Sequence, residues 1–304
     1  AAVADLFAIF FLYLLVSRLH GRKVGLLSAA FSALAVMQIQ QSHFMTSDNF
    51  GVLFATLTMY AAVRAAQSPP ASGRASLSGW HWYALFGLGL GMTVASRINL
   101  APLAGLIVVA AAIAHWPHLL AASERGAGIQ RAAVLLIIAG AASLLSFRLT
   151  HPMAFRAETG DTTLLTFSPI PDWTASLEVA AAESSLRAGG PPAEQWTSRP
   201  WVIFPWVNMV LWGMGLPLGL AAWAGFGWAL WRLWRADWLR DFADQVAPLL
   251  LPVVWVGGYF LFMGTRWVTR PGGSSSRSGT RPVSVSSPSG SPVLERQPRR
   301  ASAR

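Results

Sequence analysis

Eight apolar runs, each close to the length that crosses a bilayer, follow one another at roughly 1–17, 24–39, 49–65, 80–96, 99–116, 131–147, 203–231 and 246–264. A hydrocarbon core about 30 Å thick needs about 20 mainly apolar residues per helix, with tolerance down to about 17. Inside lipid every backbone N–H and C=O must be paired within its own segment, so runs of this length fold as helices. Composition agrees, since only 12% of the 304 residues are charged and 54% are hydrophobic, where an average soluble domain carries about 25% charge. The expectation is an all-α polytopic membrane protein of about eight transmembrane helices.

Charge sets the sidedness. Residues 1–268 hold 16 Lys and Arg against 12 Asp and Glu, whereas residues 269–304 hold 7 against 1. More than half of the net charge of +10 therefore sits in the tail, and nucleic acid is not an expected partner. Short cytoplasmic loops carry an excess of Lys and Arg. Counting alternate connections puts Arg18, Arg22, Lys23, Arg64, Arg74, Arg125, Arg131, Arg232, Arg235 and Arg240 on one side. His43, Asp48, Arg97 and a long loop at about 148–202 then share the non-cytoplasmic face. Within that loop Asp172 is placed to cap a helix of about 15 residues with Trp173, Leu177 and Ala181 on one stripe, stopped by Gly189-Gly190-Pro191-Pro192. Gly87 with Gly91, and Gly215 with Gly219, are small-xxx-small pairs suited to close helix contact.

Few polar residues are placed for chemistry. Asp48, in "QQSHFMTSDNF", is a candidate site carboxylate, while Ser47 or Asp48 could serve as the N-terminal cap of the helix beginning near Phe50, and the two roles are compatible. Arg97, in "GMTVASRINLAPL", must reach the interface or meet an anion, and a guanidinium suits a phosphate. His43 stands near Asp48 but in a loop, where a lone His is ordinarily a surface residue. His115 and His118, three apart, have only Glu124 nearby and make a poor metal site; His151 opens the long loop; "RADWLRDFADQ" reads as a solvated connector. There is no Cys, which excludes thiolate chemistry. No phosphate-binding Gly loop, nucleophile elbow or HExxH appears, so nucleotide chemistry is not indicated.

"SHFMTSDNFGVLFATLTMYAAVR", "GLGLGMTVASRINLAPL" and "FPWVNMVLWGMGLPLGLAAWAGFGWAL", in that order and spread over roughly residues 1–268, resemble bacterial members of glycosyltransferase family 39. These are the protein O-mannosyltransferase and aminoarabinose-transferase-like enzymes of the GT-C fold class. The resemblance implies transfer of a sugar from a polyprenyl-phosphate donor to a protein, lipid or glycan acceptor on the outer face of the cell membrane, by inverting single displacement. It places a supporting acid at Asp48, a cation for the lipid phosphate at Arg97 and a polar substrate contact at Asn99; His43 is a further substrate-binding candidate by its position near Asp48, with which it could pair, and the sequence requires no divalent metal. The family's main catalytic carboxylate lies on the first outer loop. This chain, which begins Ala1-Ala2-Val3 without an initiator Met, reads as starting after it, and so as a fragment inactive alone. Asp5 does not match that motif. The alternative is a non-enzymatic transporter or lipid carrier, which would favour broken helices meeting at mid-membrane and internal repeats; no convincing repeat is visible.

The tail 269–304, rich in Ser, Arg, Pro and Gly, cannot bury a core and reads as disordered. Family members continue into further membrane helices here, so we read a change of frame near Thr269. The nucleotide sequence checks this: an apolar continuation in another frame is expected, and its absence from both would show the tail to be genuine.

Overall fold

The computed structural model describes residues 1–68, 77–155, 167–183 and 199–266. Contacts divide the chain into two units, Ala1–Arg270 and Pro271–Arg304. The tail, Arg74 and the Gly189–Pro192 stop lie outside the described residues. All regular elements among the described residues are helical. α1 (Ala2–His20) ends at Gly21, whose φ of 88° turns the chain into α2 (Arg22–Ala33). α3 (Val36–Ser42) and α4 (Ser47–Ala66) follow, then α5 (Trp80–Ser96), a 3-10 turn at Ile98–Ala104, α6 (Gly105–Ala114), α7 (Trp116–Leu120) and α8 (Arg125–Thr150). Beyond a 3-10 turn at Pro152–Phe155 come α9 (Pro171–Glu183), α10 (Ile203–Asn208), α11 (Leu216–Arg235) and α12 (Ala247–Arg266).

Each expected apolar run is helical, but not each is a single span. Three helices among the described residues are long and apolar enough to cross a membrane, namely Ala2–His20, Arg125–Thr150 and Phe242–Gly264, or four if the bent pair α2 and α3 counts as one. The protein is thus a multi-pass helical membrane protein, and the expected eight spans are not seen as eight crossing helices. Local breaks in the chain explain three of the five runs that fall short. The 24–39 run bends by 63° between α2 and α3, where Ala35 is extended. Side chains staple this bend: Ser32 Oγ donates to Gln38 Oε1 and Gln38 Nε2 donates to Asp5 Oδ1, both at 2.6 Å. The 99–116 run begins as a 3-10 turn containing Pro102. The 203–231 run breaks into α10, a π-turn at Met209–Gly213, and α11, with Gly215 at φ 82° and Pro217 opening α11.

α5 lies between α4 and α8, and its glycines make that possible. A Cβ at Gly91 would stand 2.5 Å from the Ser143 carbonyl oxygen and 2.6 Å from Ser146 Cβ, while one at Gly87 would collide with the Ala139 carbonyl. On the opposite face a Cβ at Gly89 would meet Thr58 Oγ1 of α4 at 2.5 Å. The Gly87–Gly91 pair therefore forms a helix–helix seam, tied further by Ser146 Oγ donating to the Leu88 carbonyl at 2.7 Å. Gly215 serves the break instead, and Gly219 packs on Val210 of the π-turn. The core follows the seam, with Phe86, Ala61 and Thr93 fully buried.

Alternating helix directions give the bundle two unlike ends. One carries the start of α4 and the end of α5; the other collects Arg18, Arg64, Arg125, Arg232 and Arg240. The mixed-charge connector at that basic end is not wholly solvated as its composition implies. Phe242 is buried and stacks on Trp116 with centroids 4.4 Å apart.

Gly91→Leu should destabilise the protein by about 1–3 kcal/mol or more through overpacking. Gly140→Ala in the same region of α8, where a Cβ meets nothing within 4 Å, should be neutral or stabilising by up to about 1 kcal/mol. Thermal unfolding of both variants in detergent compares the two; equal losses would disprove the seam.

Candidate functional site

α4 and α5 run in opposite directions, so the first turn of one meets the last turn of the other. Asp48 lies in the first turn of α4. Arg97 ends α5 in an extended conformation, its N–H donating to the Thr93 carbonyl at 2.8 Å. Arg97 Nη2 donates to Asp48 Oδ2 in an ion pair, with the side chains 44% and 40% exposed. A carboxylate at a helix start and a cation at a helix end both complement the helix dipoles, so backbone and side-chain electrostatics agree at this junction. The approach depends on Gly51, where an added Cβ would press on Arg97 Cγ at 3.3 Å. The arginine stem lies over the glycine, which leaves the guanidinium level with Asp48 one helical turn away.

Asp48 is not the cap it was expected to be. The cap position falls on Thr46, which makes no side-chain capping bond, because the helix starts at Ser47 and carries Asp48 inside its first turn. Asn49 holds the preceding turn instead: it is 6% exposed, and its Nδ2 donates to the Gln41 carbonyl at 2.8 Å and the Phe44 carbonyl at 3.2 Å. Its role is invisible in the sequence, where it is one of several polar residues in a loop.

Asn99, two residues beyond Arg97, donates from Nδ2 to Tyr259 Oη of α12 at 3.3 Å. Tyr259 is 160 residues away inside an apolar run, and no sequence signal points to it. His43 remains apart, exposed, with Nδ1 against the Ile39 carbonyl of its own helix at 2.7 Å. Thus Asp48, Arg97 and Asn99 gather at one end, joined by Tyr259, and His43 is not drawn in. A cavity of about 250 Å³ lies alongside between α4, α5 and α8, lined by Ser47, Phe50, Phe54, Met92, Ser96 and Thr150 among others. Neither Asp48 nor Arg97 lines it.

The other candidates fall elsewhere. α9 begins at Pro171, with Asp172 in its first turn, and Trp173 and Leu177 form its less exposed stripe. Trp173 docks on Phe147 and His151 at the end of α8, 6.0 Å from each ring centroid. His115 is buried against the Ala111 carbonyl, and His118 pairs with Glu124 at 2.5 Å. Among the described residues no three His, Asp or Glu converge as a metal set.

An exposed ion pair contributes about 0–1 kcal/mol, whereas hydrogen bonds to charged groups contribute about 1.5–3 kcal/mol. A phosphate can therefore share or take the Arg97 guanidinium at little cost, and a guanidinium held at one corner retains further N–H donors for it.

Compared with known proteins, residues 1–145 match the family model described as dolichyl-phosphate-mannose-protein mannosyltransferase, a GT-C family. The family read from the motifs is supported over that stretch, which includes Asp48, Arg97 and Asn99. The "FPWVNM" segment and Tyr259 lie beyond it. No curated protein and no solved structure matches significantly.

Asn49→Ala should lower stability by about 1–3 kcal/mol by removing the buried amide that donates to the Gln41 and Phe44 carbonyls. Thermal unfolding in detergent measures it, and an unchanged midpoint would show that water replaces the amide.

Proposed function

We propose that this membrane protein, which over residues 1–145 matches the dolichyl-phosphate-mannose-protein mannosyltransferase family, moves a sugar from a polyprenyl-phosphate donor to a protein, lipid or glycan acceptor. The reaction takes place at the end carrying Asp48 and Arg97, which by the positive-inside rule faces away from the cytoplasm of the cell membrane. An acceptor oxygen attacks the anomeric carbon, the bond from that carbon to the phosphate oxygen breaks, and its electron pair leaves with the lipid phosphate, inverting the centre. Arg97 stabilises the charge growing on that phosphate, an interaction stronger in the transition state than before it. Asp48 is the supporting acid. Engaged with Arg97, it aims the guanidinium, while the acceptor's proton passes to a separate general base. Asn99, with Tyr259 behind it, offers a further polar contact to phosphate or sugar.

The observation that carries this reading is the Asp48–Arg97 pair, formed between two helix ends inside the matched region. One feature favours the carrier reading: the two helix breaks meet, with Val36 Cγ2 only 3.8 Å from where a Cβ on Gly215 would stand. Broken helices that meet are common in transporters, yet here they carry no charged site of their own beyond Asp5.

In the complete enzyme, Arg97→Ala should lower sugar transfer from a polyprenyl-phosphate donor by about 100-fold, as loss of one oxyanion donor does. Asp48→Asn should lower it about tenfold, with Arg97→Lys between the two. Full transfer in both Arg97→Ala and Asp48→Asn would place the site elsewhere. Passage of the lipid across proteoliposomes with no sugar transfer would favour the carrier.

A further inference from the structure

We propose that the basic end of the bundle is a binding site for an anionic phospholipid, one acyl chain lying in a cavity there and the phosphate at Arg240. The site is separate from the Asp48–Arg97 end and does not rest on the transfer reaction.

The cavity is about 610 Å³, within the range of about 300–1,000 Å³ usual for small-molecule sites. Its walls are helix ends: Leu19 near the close of α1, Ala66 and Ala114 as the last residues of α4 and α6, and Leu251 near the start of α12. Phe242 and Trp116 stack to form one side. For helices that span a bilayer, this depth is the boundary between acyl chains and headgroups. Ile113, Phe242 and Leu251 on the inner wall are buried, whereas Leu120, Leu239, Arg240 and Ala243 at the rim are exposed. An apolar space open at that depth is a poor place for water, which needs two or more polar partners. Left empty, it would forfeit dispersion contacts along its whole lining. A lipid chain satisfies both conditions.

Charge selects the headgroup. Around this end the described residues carry nine Lys or Arg (Arg18, Arg22, Lys23, Arg64, Arg125, Arg131, Arg232, Arg235 and Arg240) against Glu124, Asp237, Asp241 and Asp244. Arg240 stands at the rim, 87% exposed, and its ionic contact with Asp237 is long at 3.7 Å. A lipid phosphate is a stronger partner than that contact.

The test reconstitutes the full chain in nanodiscs of equal parts phosphatidylcholine and phosphatidylglycerol, then reads retained lipid by native mass spectrometry after gentle extraction. Phosphatidylglycerol should be retained over phosphatidylcholine by about tenfold, the effect of one charge-assisted contact. Ala243→Trp, which fills the mouth, should lower retained lipid about tenfold, and Arg240→Gln should bring the two lipids to within about threefold of each other. No retained lipid in the unaltered protein, or undiminished phosphatidylglycerol in folded Ala243→Trp, would overturn the proposal. If Ala243→Trp fails to fold, Arg240→Gln decides alone, since its side chain is at the surface: an unchanged lipid ratio would overturn the anionic site.

Discussion

Everything at the paired end depends on how closely α5 approaches its two neighbours. Lipid tails are as apolar as leucine, so apolar burial does little to hold helices together in a bilayer, and close packing with a few hydrogen bonds must do it. Here Gly87 and Gly91 admit the backbone of α8, Gly89 admits Thr58 of α4, and Ser146 reaches the Leu88 carbonyl. With α5 wedged between them, its last residue has only one place to go. Arg97 emerges beside the first turn of α4, and the meeting with Asp48 follows from the seam more than from attraction between two exposed charges.

The two ends use charge differently. At the paired end the ions are few, and each lies where a helix dipole already favours its sign, Asp48 at a start and Arg97 at an end. At the basic end the cations spread over several connections and lean on aromatic rings. Arg64 lies 4.0 Å from the Trp82 ring centroid and donates to Tyr60 Oη at 3.0 Å, and Arg235 sits over Trp231. The first arrangement suits a discrete anion; the second suits a surface of headgroups.

Much of this was legible in the apolar runs, because in lipid a long run has only one way to satisfy its backbone. The helices were readable, and so was the Gly87–Gly91 contact. The bend between α2 and α3 was not, since no Pro or Gly marks it and it rests on Ser32, Gln38 and Asp5 coming together across the chain. The gathering of Asp48, Arg97 and Asn99 at one end was anticipated. Their partners were not: Arg97 engages Asp48 itself, Asn49 ties down the turn before α4 while no side chain caps that helix, and Tyr259 joins from a segment whose sequence reads only as membrane helix. Hydrogen bonds that depend on tertiary contact leave no periodic trace along a chain.

Gly51 makes the paired end selective in a way no charge count reveals. Its missing side chain is the floor on which the arginine stem rests, 3.3 Å from where a Cβ would stand. Gly51 lies three residues after Asp48 on the same face of α4, so the arginine stem packs on bare helix directly beside the carboxylate. A side chain at that position would make the arginine stem give way with every ionisable group still present, so shape as well as charge governs where the guanidinium rests.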